Sequence, residues 1–234
     1  MTTASSHIIV FDLDDTLFPE VDFLRSGYRA IARETARRGA LGEDVAYDIL
    51  NRHLGQKALD MLIEAQNDGG LTIREMIDIY RTHLPSIQLS DEVKRVLNQL
   101  KQNERIRAMG IITDGRINTQ SNKIQALGLE RFIKAEMIVI SEAIGGDKLT
   151  SRPFEMIENV VNHKKSCFWY IGDNLSKDFV VANSRGWITV QIPPGPEAIH
   201  RVEPDKFQKK FHPRYIIPSI TRLPALIADF DKNL

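Results

Sequence analysis

The stretch HIIVFDLDDTLFPE (residues 7–20) decides how the rest of the chain is read. Its first five residues are mostly apolar and β-branched, the pattern of a short buried strand. Directly behind them come Asp12, Asp14 and Asp15, three carboxylates within four residues. Like charges at that spacing repel one another, and a fold tolerates them most readily with a cation among them; oxygen ligands suit Mg²⁺. In an open parallel sheet, ligands bind at the carboxyl ends of the strands, which is where these aspartates fall. Strand alternation puts Asp12 and Asp14 on one side and Asp15 on another. An acidic loop or helix cap without chemistry would carry the same residues, so the stretch alone leaves both readings open.

Outward from it, further strand-like runs occur at 106–113, 135–140, 166–172, 187–192 and 214–218. Helix-like segments separate them. Ser90, followed by Asp91 and Glu92, reads as a helix start, with Val93, Val96, Leu97 and Leu100 at helical spacing. A second helix is expected over 118–129, closed by Gly128. Short strands alternating with helices predict an α/β fold of three layers, a parallel Rossmann-like sheet covered on both faces. Roughly ninety residues separate the first two strands, far more than a one-helix crossover needs. An inserted unit is therefore expected at 19–88, leaving 1–18 and 89–234 as the core. The insert carries four segments with apolar residues three and four apart, which predict a helical bundle with Tyr28, Tyr47, Met61, Met76 and Tyr80 in its core.

Composition narrows the setting. The 234 residues are 42% hydrophobic and 26% charged, enough to bury a full core. Basic and acidic side chains balance at 31 each, so no nucleic-acid partner is suggested. Cys167 is the single cysteine, which excludes an intrachain disulfide or a cysteine metal cluster and fits a reducing compartment. No apolar run approaches the ~20 residues that span a bilayer, and the opening lacks the pattern of a secretory leader. A soluble cytoplasmic protein is expected.

Other strand ends add what a phosphate and metal site needs. Thr113, Asp114 and Gly115 follow the second run, a hydroxyl and then backbone N–H groups in a tight turn that can hold phosphate oxygens. Asp173 ends the fourth run, Asp178 stands five residues on, and Lys148 lies in the connection before it. A metal, carboxylates, a hydroxyl and a cation thus converge from separated parts of the chain.

On these residues the chain resembles the haloacid dehalogenase superfamily over nearly its whole length. The family's D-x-D-x-T stands as Asp12, Asp14 and Thr16, its strand ending in Thr as GIIT with Thr113, and its G-D-x-x-x-x-D as Gly172, Asp173 and Asp178. TDGRINTQSNKIQALGL (113–129) is similar to the family's T-N-G-x-x-x-x-Q-x-x-K-L-x-x-L-G-L, with Asp114 in place of Asn. The third motif departs: SEAIGGDKLTSRPFEMI (141–157) keeps Ser141, Glu142, Lys148 and Phe154 but has Leu149 for the usual proline. An alternative alignment on Arg152 and Pro153 makes Arg152 the cation. Spacing favours Lys148, about two dozen residues before Gly172.

The resemblance implies a Mg²⁺-dependent phosphatase acting on a small phosphate ester. Asp12 would attack phosphorus and become an aspartyl phosphate. Asp14 would protonate the leaving alkoxide and then take a proton from the hydrolytic water. Thr113, Asp114, Gly115 and Lys148 would bind phosphate; Asp12, Asp173 and the Asp14 carbonyl would hold Mg²⁺. Asp178 would act through a water or by orienting Lys148, and Thr16 would steady the loop. Relatives that cleave carbon–halogen bonds lack the second aspartate, which disfavours dehalogenation here. A phosphomutase, a phospho-receiver module and a non-catalytic binding protein are the alternatives. The insert resembles the family's helical cap, with hinges near Phe18–Val21 and Leu84–Leu89, and the Q-x-x-K helix resembles phosphatases of sugar phosphates and nucleotides. The basic run 206–210 is expected to be solvated, and oligomeric state is not legible.

Overall fold

All six apolar runs form strands of one sheet in the computed structural model, which describes residues 6–55, 57–161, 166–200 and 202–233. They are β1 (Ser6–Phe11), β2 (Ile106–Thr113), β3 (Ile138–Ile140), β4 (Ser166–Gly172), β5 (Ile188–Gln191) and β6 (Tyr215–Ile216). The order is β3-β2-β1-β4-β5-β6, every pair parallel. The chain winds to one side through β2 and β3, then crosses back to β4 and continues outward, so β1 lies at the switch in direction where open sheets place ligands. Its residues Ile8, Ile9, Val10 and Phe11 are completely buried, as a central strand covered on both faces requires. Both edge strands are shorter than the sequence pattern: Ala135–Met137 turn into a 3₁₀ segment before β3, and β6 pairs with β5 only through Tyr215 and Ile216. An edge strand has one partner, so fewer ladder bonds hold its backbone extended.

Between β1 and β2 lie α1 (Glu20–Arg37), α2 (Glu43–Arg52), α3 (Ala58–Ala65), α4 (Ile73–Thr82) and α5 (Asp91–Gln102). The first four enclose a hydrophobic cluster of their own, centred on Tyr28, Ile31, Leu50, Leu62 and Met76. Tyr47 and Met61 are half-buried. Helix α4 starts at a capping box in which Thr72 accepts from Glu75 N (3.3 Å) while the Glu75 carboxylate accepts from Thr72 N (2.8 Å). Helix α5 starts at Ser90, whose Oγ accepts from Val93 N at 3.2 Å, and buries Val93, Val96, Leu97 and Leu100 against the sheet as the periodicity predicts.

The remaining helices are α6 (Ile117–Ala126), α7 (Ser141–Ile144), α8 (Arg152–Val161), α9 (Val180–Ser184) and α10 (Leu223–Lys232). Gly128, at φ +64°, ends the α6 segment in the left-handed conformation. No described helix is long and apolar enough to cross a membrane. The main core runs from the α5 face through the sheet to Phe154, Ile157 and Trp187 on the other side.

Candidate active site

Strand register brings the predicted site residues to one end of the sheet. Phe11 pairs with Ile111 on one side and Ile171 on the other, so Asp12 emerges between the ends of β2 and β4. Asp12 N continues the ladder by donating to Ile171 O at 2.8 Å, which fixes the aspartate where the strand stops. Asp15 then takes φ +53°, a left-handed conformation that aspartate tolerates better than most residues. Its Oδ1 accepts from Glu20 N at 2.9 Å, so Asp15 builds the turn into α1. The Thr16 hydroxyl is buried with no hydrogen-bond partner among the described residues, and among these Thr16 steadies the loop by packing.

Lys148 reaches this end from the loop between α7 and α8 and is completely buried. Its Nζ contacts Asp12 Oδ1 and lies 2.9 Å from Asp178 Oδ1. The other Asp178 oxygen accepts from Asp173 N (3.1 Å) and Asn174 N (2.8 Å). Asp178 therefore uses both oxygens to hold Lys148 and shape the loop after β4. That arrangement needs Gly172, because a Cβ there would sit 2.5 Å from Asp178 Oδ2. Gly172→Ala is expected to destabilise the protein by about 1–3 kcal/mol through overpacking, measured by denaturant unfolding. A variant as stable as its parent would contradict this close approach. Arg152, the alternative cation, stands exposed at the first residue of α8 beside Gly145 and Gly146.

Charge is unbalanced at the centre. Asp12, Asp173 and Asp178 are buried with one oxygen of each within 4.8 Å of the others, against the single ammonium of Lys148. Burial pushes Asp12 up to about 7, with Asp178 and Asp14 adding to the effect and Lys148 opposing it. Burial and then the charges of Asp178 and Asp12 push Asp173 up to about 9. Burial would lower Lys148, but Asp12 and Asp178 more than offset it and hold the ammonium well above its ordinary value. Gln191 Nε2 donates to the Asp173 backbone carbonyl at 2.8 Å, but the Asp173 carboxylate accepts no hydrogen bond among the described residues. With Asp178 already saturated, Asp12 and Asp173 are the carboxylates that fit a divalent cation.

A pH dependence follows. Both aspartates ionise near 3.8 when unfolded but near 7 and 9 when folded, so the folded state holds the extra protons. Their raised pKa values add no pH-dependent cost below about pH 4 and destabilise the metal-free protein progressively as pH rises toward 9. Mg²⁺ is therefore expected to raise the melting temperature more at about pH 8 than at about pH 5, relative to chelator. An equal rise at both would show that these carboxylates do not carry the effect.

The opposite wall comes from β2 and α6. Thr113 is buried at the end of β2, with its Oγ1 2.5 Å from Gln120 Nε2. Asp114 turns back to accept from Lys148 N (3.2 Å), and Lys177 Nζ lies 3.7 Å from its other oxygen. The Gly115 N–H, expected to face phosphate, donates to Ser141 Oγ at 2.9 Å, and Glu142 accepts from Ile117 N at 2.7 Å. Ser141 and Glu142 thus bind the turn and cap α6. Gly115 has φ +149°, and a Cβ there would meet Gln120 Cγ at 3.0 Å.

Two side chains enter the site without having been assigned a role in the sequence. Gln120 Nε2 also donates to Asp14 Oδ2 (3.2 Å), and Lys123 Nζ lies 2.7 Å from Asp14 Oδ1. They share the inward face of α6 with apolar Ile124. A glutamine and a lysine at i and i+3 on a face that is otherwise core was the available signal. Tyr80, expected in the bundle core, instead touches both hydrophobic clusters, with its ring edge-on to Phe23 at 5.2 Å. Burial, with the charges of Glu20 and Asp14, pushes its phenol up.

The chain is 28% identical over 197 residues to the glyceraldehyde 3-phosphate phosphatase of Methanopyrus kandleri, covering 79% of this chain and 82% of that one. It is 25% identical over 235 residues to the protein of the same name from Methanocaldococcus jannaschii, covering 96% and 98%. A magnesium-bound HAD hydrolase of Bacillus subtilis shares the fold with TM-score 0.61 at 19% identity, over 95% of this chain and 99% of that one. The sequence profile of haloacid dehalogenase-like hydrolases matches residues 9–192. That span begins in β1 and ends just past β5, taking in every strand end that carries a site residue, and the chain belongs to the haloacid dehalogenase-like hydrolases.

Proposed function

We propose that this hydrolase is a phosphatase that cleaves a small phosphate monoester through a phosphorylated Asp12. The observation that carries the reading is the placement of Asp14. Its carboxylate is joined through Gln120 to Thr113, so a proton-transferring group stands beside the hydroxyl suited to a phosphoryl oxygen. A departing alkoxide needs that proton, whereas a departing halide does not.

A phosphomonoester repels an aspartate nucleophile until its charge is neutralised. Lys148 supplies one positive charge against Asp12, and the Thr113 hydroxyl offers a hydrogen bond. Mg²⁺, held by Asp12, Asp173 and the Asp14 carbonyl, would supply the remaining neutralisation at the phosphoryl oxygens. Asp12 attacks phosphorus in line; the P–O bond to the substrate breaks and the leaving oxygen takes the proton of Asp14. In the second half, Asp14 takes a proton from the water that attacks phosphorus, freeing Asp12. Asp178 orients Lys148 throughout.

We read residues 19–88 as a cap over this site, supported by the separate hydrophobic cluster of the four helices and by Phe23, whose ring centre lies 4.3 Å from Lys123 Nζ at the site. A closing cap predicts slower amide exchange near residues 82–89 when a phosphate analogue binds; unchanged exchange would count against it. Sugar phosphates and nucleotides are the substrate classes that the resemblance of the α6 helix suggests. The two relatives named for glyceraldehyde 3-phosphate put triose phosphates first. The test is phosphate release with Mg²⁺ across triose phosphates, larger sugar phosphates, nucleotides and 2-haloacids. Halide release without phosphate release would overturn the reading.

A further inference from the structure

Lys123 is 3% exposed, an unusual place for an ammonium unless it is paired. Its Nζ lies 2.7 Å from Asp14 Oδ1 and 4.3 Å from the centre of the Phe23 ring, with Phe18 on another side at 5.9 Å. Gln120, one turn earlier on α6, holds the other Asp14 oxygen. Both oxygens of this carboxylate are thus tied to one helix. The apolar cover on the pair comes from elsewhere, since Phe23 belongs to α1 and Phe18 to the turn before it. The same helix α6 also grips the far end of the helical segment. Thr119 Oγ1 donates to Arg81 O (3.1 Å), and Asn122 Nδ2 donates to Thr82 O (3.3 Å) and His83 O (3.1 Å), the last carbonyls of α4. Helix α6 therefore touches both crossings between the helical segment and the sheet.

We propose that Lys123 is a positioning residue for Asp14, one that transmits the seating of the helical segment to the proton-transfer step. This rests on the phosphatase reading above. With Phe23 seated, water is kept from the Lys123–Asp14 contact, and the Nζ–H···Oδ1 hydrogen bond holds the orientation of the Asp14 side chain both when Asp14 carries its proton and when it is ionised. With Phe23 displaced, water screens the pair and Asp14 turns freely. Lys123 itself touches neither phosphorus nor the leaving oxygen. It acts on which direction Asp14 presents its proton as the P–O bond breaks.

The test compares glyceraldehyde 3-phosphate, whose alkoxide needs a proton, with 4-nitrophenyl phosphate, whose phenolate does not. Lys123→Met is expected to lower kcat on glyceraldehyde 3-phosphate by about 100-fold with KM within about threefold. Single-turnover release of 4-nitrophenolate, with enzyme in excess, should stay within about threefold of wild type. Phe23→Leu should move the same way by about tenfold, and Lys123→Arg should restore part of the loss. Asp14→Asn is the reference, and adding Lys123→Met to it should cost nothing more. If Lys123→Met does not fold, the ratio of the two rates in Phe23→Leu and Lys123→Arg decides. An equal fall on both substrates, a raised KM at unchanged kcat, or additive loss in the double variant would overturn the inference. If Asp14→Asn itself fails to discriminate the two leaving groups, the proton role of Asp14 falls, and the inference with it. If Asp14→Asn discriminates and Lys123→Met does not, the inference alone falls.

Discussion

Asp12→Asn is expected to fold at least as stably as the parent in the absence of metal and to lose turnover of every phosphate ester by about 10⁵-fold. The two effects separate because Asp12 is held at a thermodynamic cost. Its carboxylate is buried, pushed up to about 7, and adjoins Asp178 and Asp14, with only Lys148 in its favour. An amide of the same shape removes the repulsion, though it weakens the contact with Lys148. It cannot form an acyl phosphate. Chelator-treated melting curves and phosphate release check the two halves, and a folded variant that keeps its activity would reject Asp12 as nucleophile.

Lys148→Met is the second substitution with a large expected effect, and here stability and activity fall together. The ammonium is completely buried between Asp12 and Asp178, so its removal leaves two carboxylates facing each other in a dry site. Breaking a buried pair from one side costs about 3–5 kcal/mol, and the loss should be greater at higher pH, where Asp12 is ionised. Removing a cation from the position where phosphate charge must be neutralised should lower kcat/KM by about 10³-fold. Lys148→Arg should rescue neither, since a planar guanidinium does not fit a site closed around a compact ammonium. Urea unfolding at two pH values, with kinetics, tests this. Full activity in Lys148→Met would return the cation role to Arg152.

The sheet was legible because β1 and β4 are continuous apolar runs and because each site aspartate stands where such a run stops. The observed register then brings Asp12, Thr113 and Asp173 within one residue of one another at the end of the sheet. The helical insert was legible from the distance between β1 and β2 and from four amphipathic segments. Other features depend on contacts that a linear pattern does not encode. The Gly115 N–H, expected to face phosphate, donates in this structure to the Oγ of Ser141, 26 residues away. Asp114 stands where the family usually has asparagine, and in space it holds the Lys148 backbone and lies near Lys177. Gln120 and Lys123 stand in the Q-x-x-K match, but their contacts with Asp14 were not legible, because a polar residue on a helix is ordinarily solvated. Tyr80 has bundle-core spacing, yet it lies where two hydrophobic clusters meet.

The chemical account turns on Asp12 carrying the phosphoryl group between the two half-reactions. Enzyme mixed with substrate and Mg²⁺, stopped within one turnover and reduced with borohydride, converts an aspartyl phosphate to homoserine. Peptide mapping should find homoserine at position 12, and none in enzyme reduced without substrate. An unmodified Asp12 at a time when alcohol has been released but phosphate has not, or a phosphoryl group on any other side chain, would contradict the account.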